Sequence, residues 1–263
     1  EIVCQLFSEP AVESDLAALR TRSYGDGADW VINGQKLWSS GSNYSYYGVV
    51  VVRTDPTVAK HKGLSYFYVD MKAPGVEIKP IKQLTGDSDF NEVYFTDVRV
   101  SDSQRLGDVG QGWQVSLTTL MNERAAIGSS FGQMDVSLAL SVAQEVEIDG
   151  HPALEDAAVR TKIANWYVQE SGLKYTGYRS LTALSRGALP GPENSIGKLV
   201  GAPKMQAMSS YLMDLLGASG AIADEALATR AAIIQRAYMG APGLRIAGGT
   251  DEIMANIIAE RVL

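Results

Sequence analysis

Gly107-Asp108-Val109-Gly110-Gln111-Gly112 divides this chain into two halves of unlike pattern. Glycine at three of these six positions lets the backbone turn and interrupts any element running through. Before this stretch, β-branched and aromatic runs recur: Val49-Val50-Val51-Val52-Arg53, Leu64-Ser65-Tyr66-Phe67-Tyr68-Val69-Asp70 and Glu92-Val93-Tyr94-Phe95-Thr96-Asp97-Val98-Arg99-Val100. The last alternates with a period near two over much of its length. Asp26-Gly27, Asn33-Gly34, Lys62-Gly63, Ala73-Pro74-Gly75 and Thr85-Gly86-Asp87 are read as turns between strands. After it, Ala, Leu, Met and Gln dominate. Helices are expected near 113–145, 153–187, 192–216, 222–237 and 250–262. Pro190-Gly191-Pro192, Gly217-Ala218-Ser219-Gly220 and Ala241-Pro242-Gly243 break the pattern. The expected fold class is α+β: a β-barrel or sandwich domain over 1–107, then a helical bundle over 108–263.

Composition narrows the possible functions. A chain of 263 residues has room for two domains. Its net charge of −7 argues against nucleic acid as a partner, which requires a basic stripe. The apolar run at 46–52 falls well short of the roughly 20 residues of a membrane span. Cys4 is the single cysteine, so no internal disulfide is expected, and a reducing compartment fits. His61 and His151 lie far apart in polar settings, so no metal site is expected. The chain opens at Glu1 without methionine or a visible signal peptide, within a strand-like pattern. An N-terminal part is expected to precede it.

Three segments carry chemistry. In Gln5-Leu6-Phe7-Ser8-Glu9-Pro10-Ala11-Val12-Glu13-Ser14-Asp15-Leu16 a strand ends in a hydroxyl and a turn; the alternative is a plain strand terminus with a capping Ser-Asp. In Asn33-Gly34-Gln35-Lys36-Leu37-Trp38-Ser39-Ser40-Gly41 a tryptophan and two serines on a strand would set an indole against a flat ring, with hydroxyls at its polar edge; the alternative is a core tryptophan. In Arg245-Ile246-Ala247-Gly248-Gly249-Thr250-Asp251-Glu252-Ile253 a helix N-terminus offers free N–H groups to an anion or a polar ring edge; the alternative is a good helix cap alone.

In this order and spacing the segments resemble the acyl-CoA dehydrogenase family over the whole chain. Leu6-Phe7-Ser8-Glu9-Pro10 with Ser14-Asp15 is similar to its first flavin and substrate segment. Gly34-Gln35-Lys36-Leu37-Trp38-Ser39-Ser40-Gly41 is similar to its Gly-x-Lys-x-Trp segment. Phe90-Asn91-Glu92-Val93-Tyr94-Phe95-Thr96-Asp97-Val98-Arg99-Val100 resembles its last β-domain strand, and Gly248-Gly249-Thr250-Asp251-Glu252-Ile253 with Asn256 to Leu263 its C-terminal signature. The resemblance implies an N-terminal helical domain, missing here, a middle β-domain and a C-terminal four-helix bundle. It implies FAD, an acyl-CoA substrate such as a fatty-acyl or steroid side-chain thioester, and α,β-dehydrogenation. By motif, Phe7 and Ser8 would line the flavin, Trp38 would cover it, and Ser40 and Thr250 would meet its edge. Ser14 would lie on the CoA side. The implied partners are an electron-transferring flavoprotein as electron acceptor and further subunits in a homo- or hetero-oligomeric dimer of dimers. The implied compartment is the cytoplasm, or the mitochondrial matrix in a eukaryote.

The chain departs from the family pattern in ways that bear on the base. Many members carry the catalytic glutamate just before Gly-Thr in the C-terminal signature, where this chain has Gly248. A smaller group carries it on the first long helix of the C-terminal domain, and Met121-Asn122-Glu123-Arg124 matches that position. Trp113, Leu117, Leu120 and Ile127 follow helical spacing, and Glu123 falls within about 60° of Leu120 at 100° per residue. A carboxylate beside an apolar stripe is partly desolvated, which raises its pKa and suits it to be a base. Glu123 is therefore the expected base, with Arg124 beside it on the substrate side; a surface ion pair is the alternative. Asp251 and Glu252 are the rival carboxylates. Glu13 replaces a usual glycine before the serine. Val142-Ala143-Gln144-Glu145-Val146-Glu147-Ile148-Asp149-Gly150 replaces an Arg-x-x-Phe-Gly segment that contacts the neighbouring subunit's FAD, and Asp214 stands where a glutamine usually does the same. The lost arginine segment and Glu13 favour one other reading, a non-catalytic or half-site subunit of a heteromeric dehydrogenase; the nearest rival is another flavin oxidation on the same fold, of nitroalkane oxidase or amine hydroxylase type.

Overall fold

In the computed structural model, residues 2–12, 14–127, 134–188, 191, 194–222, 226 and 228–261 are described, with backbone alone at 124–127 and 261. They form two compact units, 1–119 and 120–263.

The first unit is built on one seven-stranded sheet. Its strands are β1 (Val3–Leu6), β2 (Arg22–Asp26), β3 (Asp29–Lys36), β4 (Tyr47–Arg53), β5 (Leu64–Asp70), β6 (Val76–Ile81) and β7 (Phe90–Ser101). β2, β3, β7 and β6 follow one another as antiparallel neighbours. β4 pairs antiparallel with β5 and parallel with β1, placing Val3 beside Tyr47 and Leu6 beside Val50. Leu6, Ile32, Val50, Phe67, Val93 and Phe95 pack into one core. Every second residue of β7 from Asn91 to Phe95 is buried, as a strand covered on one face requires.

Asn33-Gly34 is not a turn. It lies inside β3, where the register against β7 shifts between Ile32 and Gly34. Gly34 has φ +152°, and a Cβ there would meet the Thr21 backbone and side chain at 2.5–2.8 Å. The Asn33 amide donates to the Asp97 carboxylate at 3.0 Å, and its carbonyl accepts the Asp97 N–H at 3.0 Å. The dipeptide that signals a hairpin turn makes a β-bulge here.

Helix α1 (Gly112–Ile127) starts where the glycine-rich stretch ends. Its first turns belong to the sheet unit. A Cβ on Gly112 would collide with the Ser65 backbone at 2.6 Å, and the hydroxyls of Tyr66 and Thr119 are 3.0 Å apart.

The second unit contains α2 (Val136–Glu145), α3 (Ala157–Ser185), α4 (Asn194–Leu216), α5 (Thr229–Leu244) and α6 (Asp251–Arg261). Val142, Ile163, Trp166, Met208, Leu212 and Ile234 form its core. The single helix expected over 113–145 is two. Asp135 is extended, and its side chain accepts the Leu138 N–H, so a new helix starts at Val136. The helix expected from 222 starts at Thr229 instead, because Ile222 is extended. Pro242 does not stop it. The proline sits in the last turn, and the chain leaves the helix at Arg245.

Between α2 and α3 stands a two-residue hairpin, β8 (Glu147–Ile148) and β9 (His151–Pro152). Asp149 and Gly150 at its tip have φ +53° and +80°, the signature of a type I′ turn. Asp-Gly is the dipeptide that turn favours. The hairpin is exposed throughout.

Candidate active site

The end of β1 and the end of β3 meet in the first unit. The Leu37 N–H donates to the Ser8 carbonyl at 2.9 Å. Beside it the Lys36 ammonium, fully buried, donates to the Phe7 carbonyl at 3.1 Å and the Glu9 carboxylate at 2.8 Å. Glu9 is buried too and accepts the backbone N–H groups of Arg20 and Thr21 at 2.6 and 2.9 Å. A buried ion pair survives only when its remaining hydrogen-bonding capacity is met, and here the backbone of two further segments meets it. Burial pushes the Lys36 pKa down to about 8 against the upward pull of Glu9. Burial also pushes Glu9 up, but the Lys36 charge and the donors around the carboxylate outweigh this and hold it below its ordinary value. Phe7 and Ser8 are thus clamped from behind. Phe7 is buried edge-on to Tyr66, and Ser8 is half-buried.

Trp38 follows directly. It lies beyond β3 rather than on it, and it is 46% exposed, which excludes a core role. Its φ is +56°, a left-handed conformation that an aromatic residue rarely adopts. The ring packs edge-on to Phe90. The segment is pinned from below: the Ser39 N–H donates to the Asn91 carbonyl at 3.0 Å, the buried Asn91 side chain donates to the Ser39 carbonyl at 3.1 Å, and the Gly41 N–H donates to the Asp89 carbonyl at 2.9 Å. Ser40 is exposed beside this anchor. Ser14 is exposed as well, past the turn closed by the mutual Glu9 and Val12 backbone bonds. Glu13 and the Arg124 side chain lie outside the described residues.

In the second unit, Glu123 is half-buried on α1, while its neighbour Asn122 is exposed. Thr250 opens α6: its hydroxyl accepts the Ile253 N–H at 3.3 Å and its carbonyl the Met254 N–H at 2.9 Å. Gly248 and Gly249 before it have φ +67° and +104°. The exposed Glu252 carboxyl is held below its ordinary value by the N–H at the helix start, then by the Thr250 hydroxyl.

Residues 4–98 match the family model for the acyl-CoA dehydrogenase middle domain, and residues 110–263 match that for the C-terminal domain. The chain belongs to the acyl-CoA dehydrogenase family. It is 37% identical to acyl-CoA dehydrogenase FadE34 of Mycobacterium tuberculosis, over 99% of this chain and 35% of that one. It is 35% identical to acyl-CoA dehydrogenase IpdE1 of the same organism, over 100% of this chain and 66% of that one. The chain therefore spans about a third of the first relative and just under two thirds of the second. The solved Tcur3481-Tcur3483 steroid ACAD G363A variant superposes with a TM-score of 0.86 at 29% identity, covering 98% of this chain and 67% of that one.

Of the residues that the family resemblance singled out, Phe7, Ser8 and Trp38 are brought together by the Lys36 anchor and its neighbouring backbone bond. Ser40 follows on the same segment. Four buried polar residues carry no signal of their role in the family motifs: Glu9, Lys36 and Asn91 in the first unit and Lys198 in the second. The first three lie inside quoted motifs. Two of them carry a local signal: Glu9 precedes a proline after a strand, and Lys36 is a charge on an otherwise inward-facing strand position.

Proposed function

We propose that the full protein is an FAD-dependent acyl-CoA dehydrogenase in which Glu123 removes the α-proton of the thioester. The half-buried setting of Glu123 carries this reading. A carboxylate partly withdrawn from water is a stronger base toward a weakly acidic C–H than an exposed one. Glu252 is the weaker candidate, because the groups that lower its pKa make it a poorer base. In the first unit an exposed indole held in a costly backbone conformation, followed by an exposed serine, suits a flat ring with a polar edge. Phe7, Ser8, Trp38, Ser40 and Thr250 would hold the flavin, with Ser14 and Arg124 toward the CoA thioester. Bound FAD supplies a hydride acceptor for the β-carbon. The chain's own groups orient the thioester, exclude water and take the proton onto a Glu123 carboxylate oxygen. An electron-transferring flavoprotein would be the electron acceptor.

The relation to a steroid ACAD supports a bulky, ring-bearing acyl group over a straight chain. The test is anaerobic addition of acyl-CoA esters, steroid side-chain and straight-chain, to the full-length protein. Loss of flavin absorbance with the steroid esters, with an enoyl-CoA product, is expected. Protein that stays colourless with added FAD and partner subunits would refute the assignment.

A half-site subunit within a hetero-oligomer is a second reading, favoured by the acidic hairpin. Where an anionic cofactor of a neighbour would want a forked cation, this chain offers the exposed Glu147 and Asp149, and Glu145 is engaged by Arg230. The paired designation of the steroid ACAD is consistent with two kinds of subunit.

A further inference from the structure

Lys198 lies on α4 with its side chain wholly buried. Removing an ammonium from water is costly unless its donors are met. Two carbonyls of one short segment accept from it. The ammonium donates to the Arg245 carbonyl at 3.0 Å and to the Gly249 carbonyl, and it stands 4.0 Å from the Asp251 carboxylate. These carbonyls bracket the turn from α5 to α6, so a single cation holds both ends of that turn. The positive φ of Gly248 and Gly249 accompanies the inward carbonyl of Gly249. A Cβ at Gly249 would also come within 2.6 Å of the Met254 methyl. From the outside, the Arg245 guanidinium grips the Asp251 carboxylate at 2.6–2.7 Å and the Gln206 side chain at 3.1 Å.

We infer that Lys198 is the positioning residue for the 245–250 turn, fixing Thr250 and the start of α6 toward the flavin. This rests on the proposed flavin role of Thr250. The physical logic is preorganisation: carbonyls turned toward a buried cation hold the turn in one conformation, at no cost of rearrangement when a ligand arrives. Lys198 acts through the turn.

Amide hydrogen exchange on full-length Lys198→Met, with and without FAD, tests this. The amides of Ile246, Ala247, Ile253 and Met254 are hydrogen-bonded within or beside the turn and serve as reporters. Their exchange should rise at least about tenfold, with α2 and α3 unchanged, as expected when charge-assisted hydrogen bonds are lost locally. FAD should dissociate at least about tenfold faster, and Lys198→Arg, which keeps the cation, should recover part of both effects. Unchanged reporters, or equal acceleration across the whole helical unit, would overturn the positioning role. Loosened reporters with unaltered FAD release would overturn the link to the flavin. Wild-type protein that binds no FAD would refute the proposed function, while the exchange pattern still decides whether Lys198 holds the turn. If Lys198→Met does not fold, Lys198→Gln, which keeps a donor without the charge, is read by the same outcomes.

Discussion

The Lys36 ammonium lies 2.8 Å from the Glu9 carboxylate, and the two charges are buried together beneath the Phe7–Ser8 backbone. Neither partner can be removed alone without stranding a charge. Glu9→Gln and Lys36→Met are each expected to destabilise the first unit by about 3–5 kcal/mol, and the double substitution by clearly less than their sum. Urea denaturation of the four proteins measures this. Additive losses would mean that the pair is not coupled.

The same pair sets a pH signature. Glu9 titrates below its ordinary value of 4.5 in the native state, so its stabilisation is complete above that pH and drains away as the pH falls through the lower native value. Lys36 has the opposite sense. Its native pKa is about 8 against an ordinary 10.5, so between these values the unfolded chain holds a proton that the native chain has released. Its contribution to stability therefore rises with pH across that window. Relative to Glu9→Gln/Lys36→Met, wild-type should lose stability below pH 4.5 and gain it between about pH 8 and 10.5. A difference in urea midpoint that is flat across both windows would contradict the assignment.

Trp38 should separate stability from binding. Core aromatic truncations cost about 3–5 kcal/mol, but this indole is 46% exposed and its backbone is strained. Trp38→Gly removes that strain, worth roughly 1–2 kcal/mol. The variant is expected to be at least as stable as wild-type within about 1 kcal/mol, while FAD affinity falls. Denaturation midpoints and FAD titration check the two halves separately. A loss of the size seen for a core aromatic would show that the indole supports the fold.

Glu123→Gln should keep flavin binding and lower the rate of flavin reduction by acyl-CoA at least about 10²-fold, the low end for a positioned general base. Rapid-mixing absorbance measures that rate. Near-normal reduction in this variant, with loss in Glu252→Gln, would reverse the two roles.

Co-expression with dehydrogenase-like neighbours from the source genome tests the half-site reading. The expected product is a hetero-oligomer with half a flavin per chain, and the chain alone should carry little. Native mass and flavin-to-protein ratio report on it. A fully active homotetramer with one FAD per chain would exclude this reading, and Arg160 or Lys162 would then be candidates to supply the missing cation.

Much of the fold could be read from pattern alone, because the dominant signals are local. β4, β5 and β7 stand where β-branched and aromatic runs placed them, and α3 and α4 close to their helical patterns. Misreadings arose where side-chain hydrogen bonds decide the local structure. Asn33-Gly34 has the composition of a turn, and only the reciprocal bonds to Asp97 make it a bulge. Asp135 begins α2 inside a run of helical composition, through a local cap that periodicity does not register. At the site, family motifs selected Phe7, Ser8 and Trp38. The anchoring of the segment after Trp38 is invisible in its neighbours, since Ser39 is bonded by Asn91, far along the chain on β7. Buried cations such as Lys36 and Lys198 escape notice because a lone lysine in sequence is ordinarily a solvated one.

The parallel ladder between β1 and β4 has a consequence for how the protein is made. Val3 meets Tyr47 only after the whole β2–β3 hairpin has been synthesised and has left the way clear. Non-local parallel pairing is slow to form, since its loop-closure cost precedes any reward. The Phe7–Ser8 segment is thus expected to lock after the local β2–β3, β4–β5 and β6–β7 hairpins. Substitutions in β1 should leave the refolding rate nearly unchanged and hasten unfolding, the behaviour of a strand absent from the folding nucleus. On the ribosome, the same geometry keeps β1 waiting, unpaired, until β4 emerges.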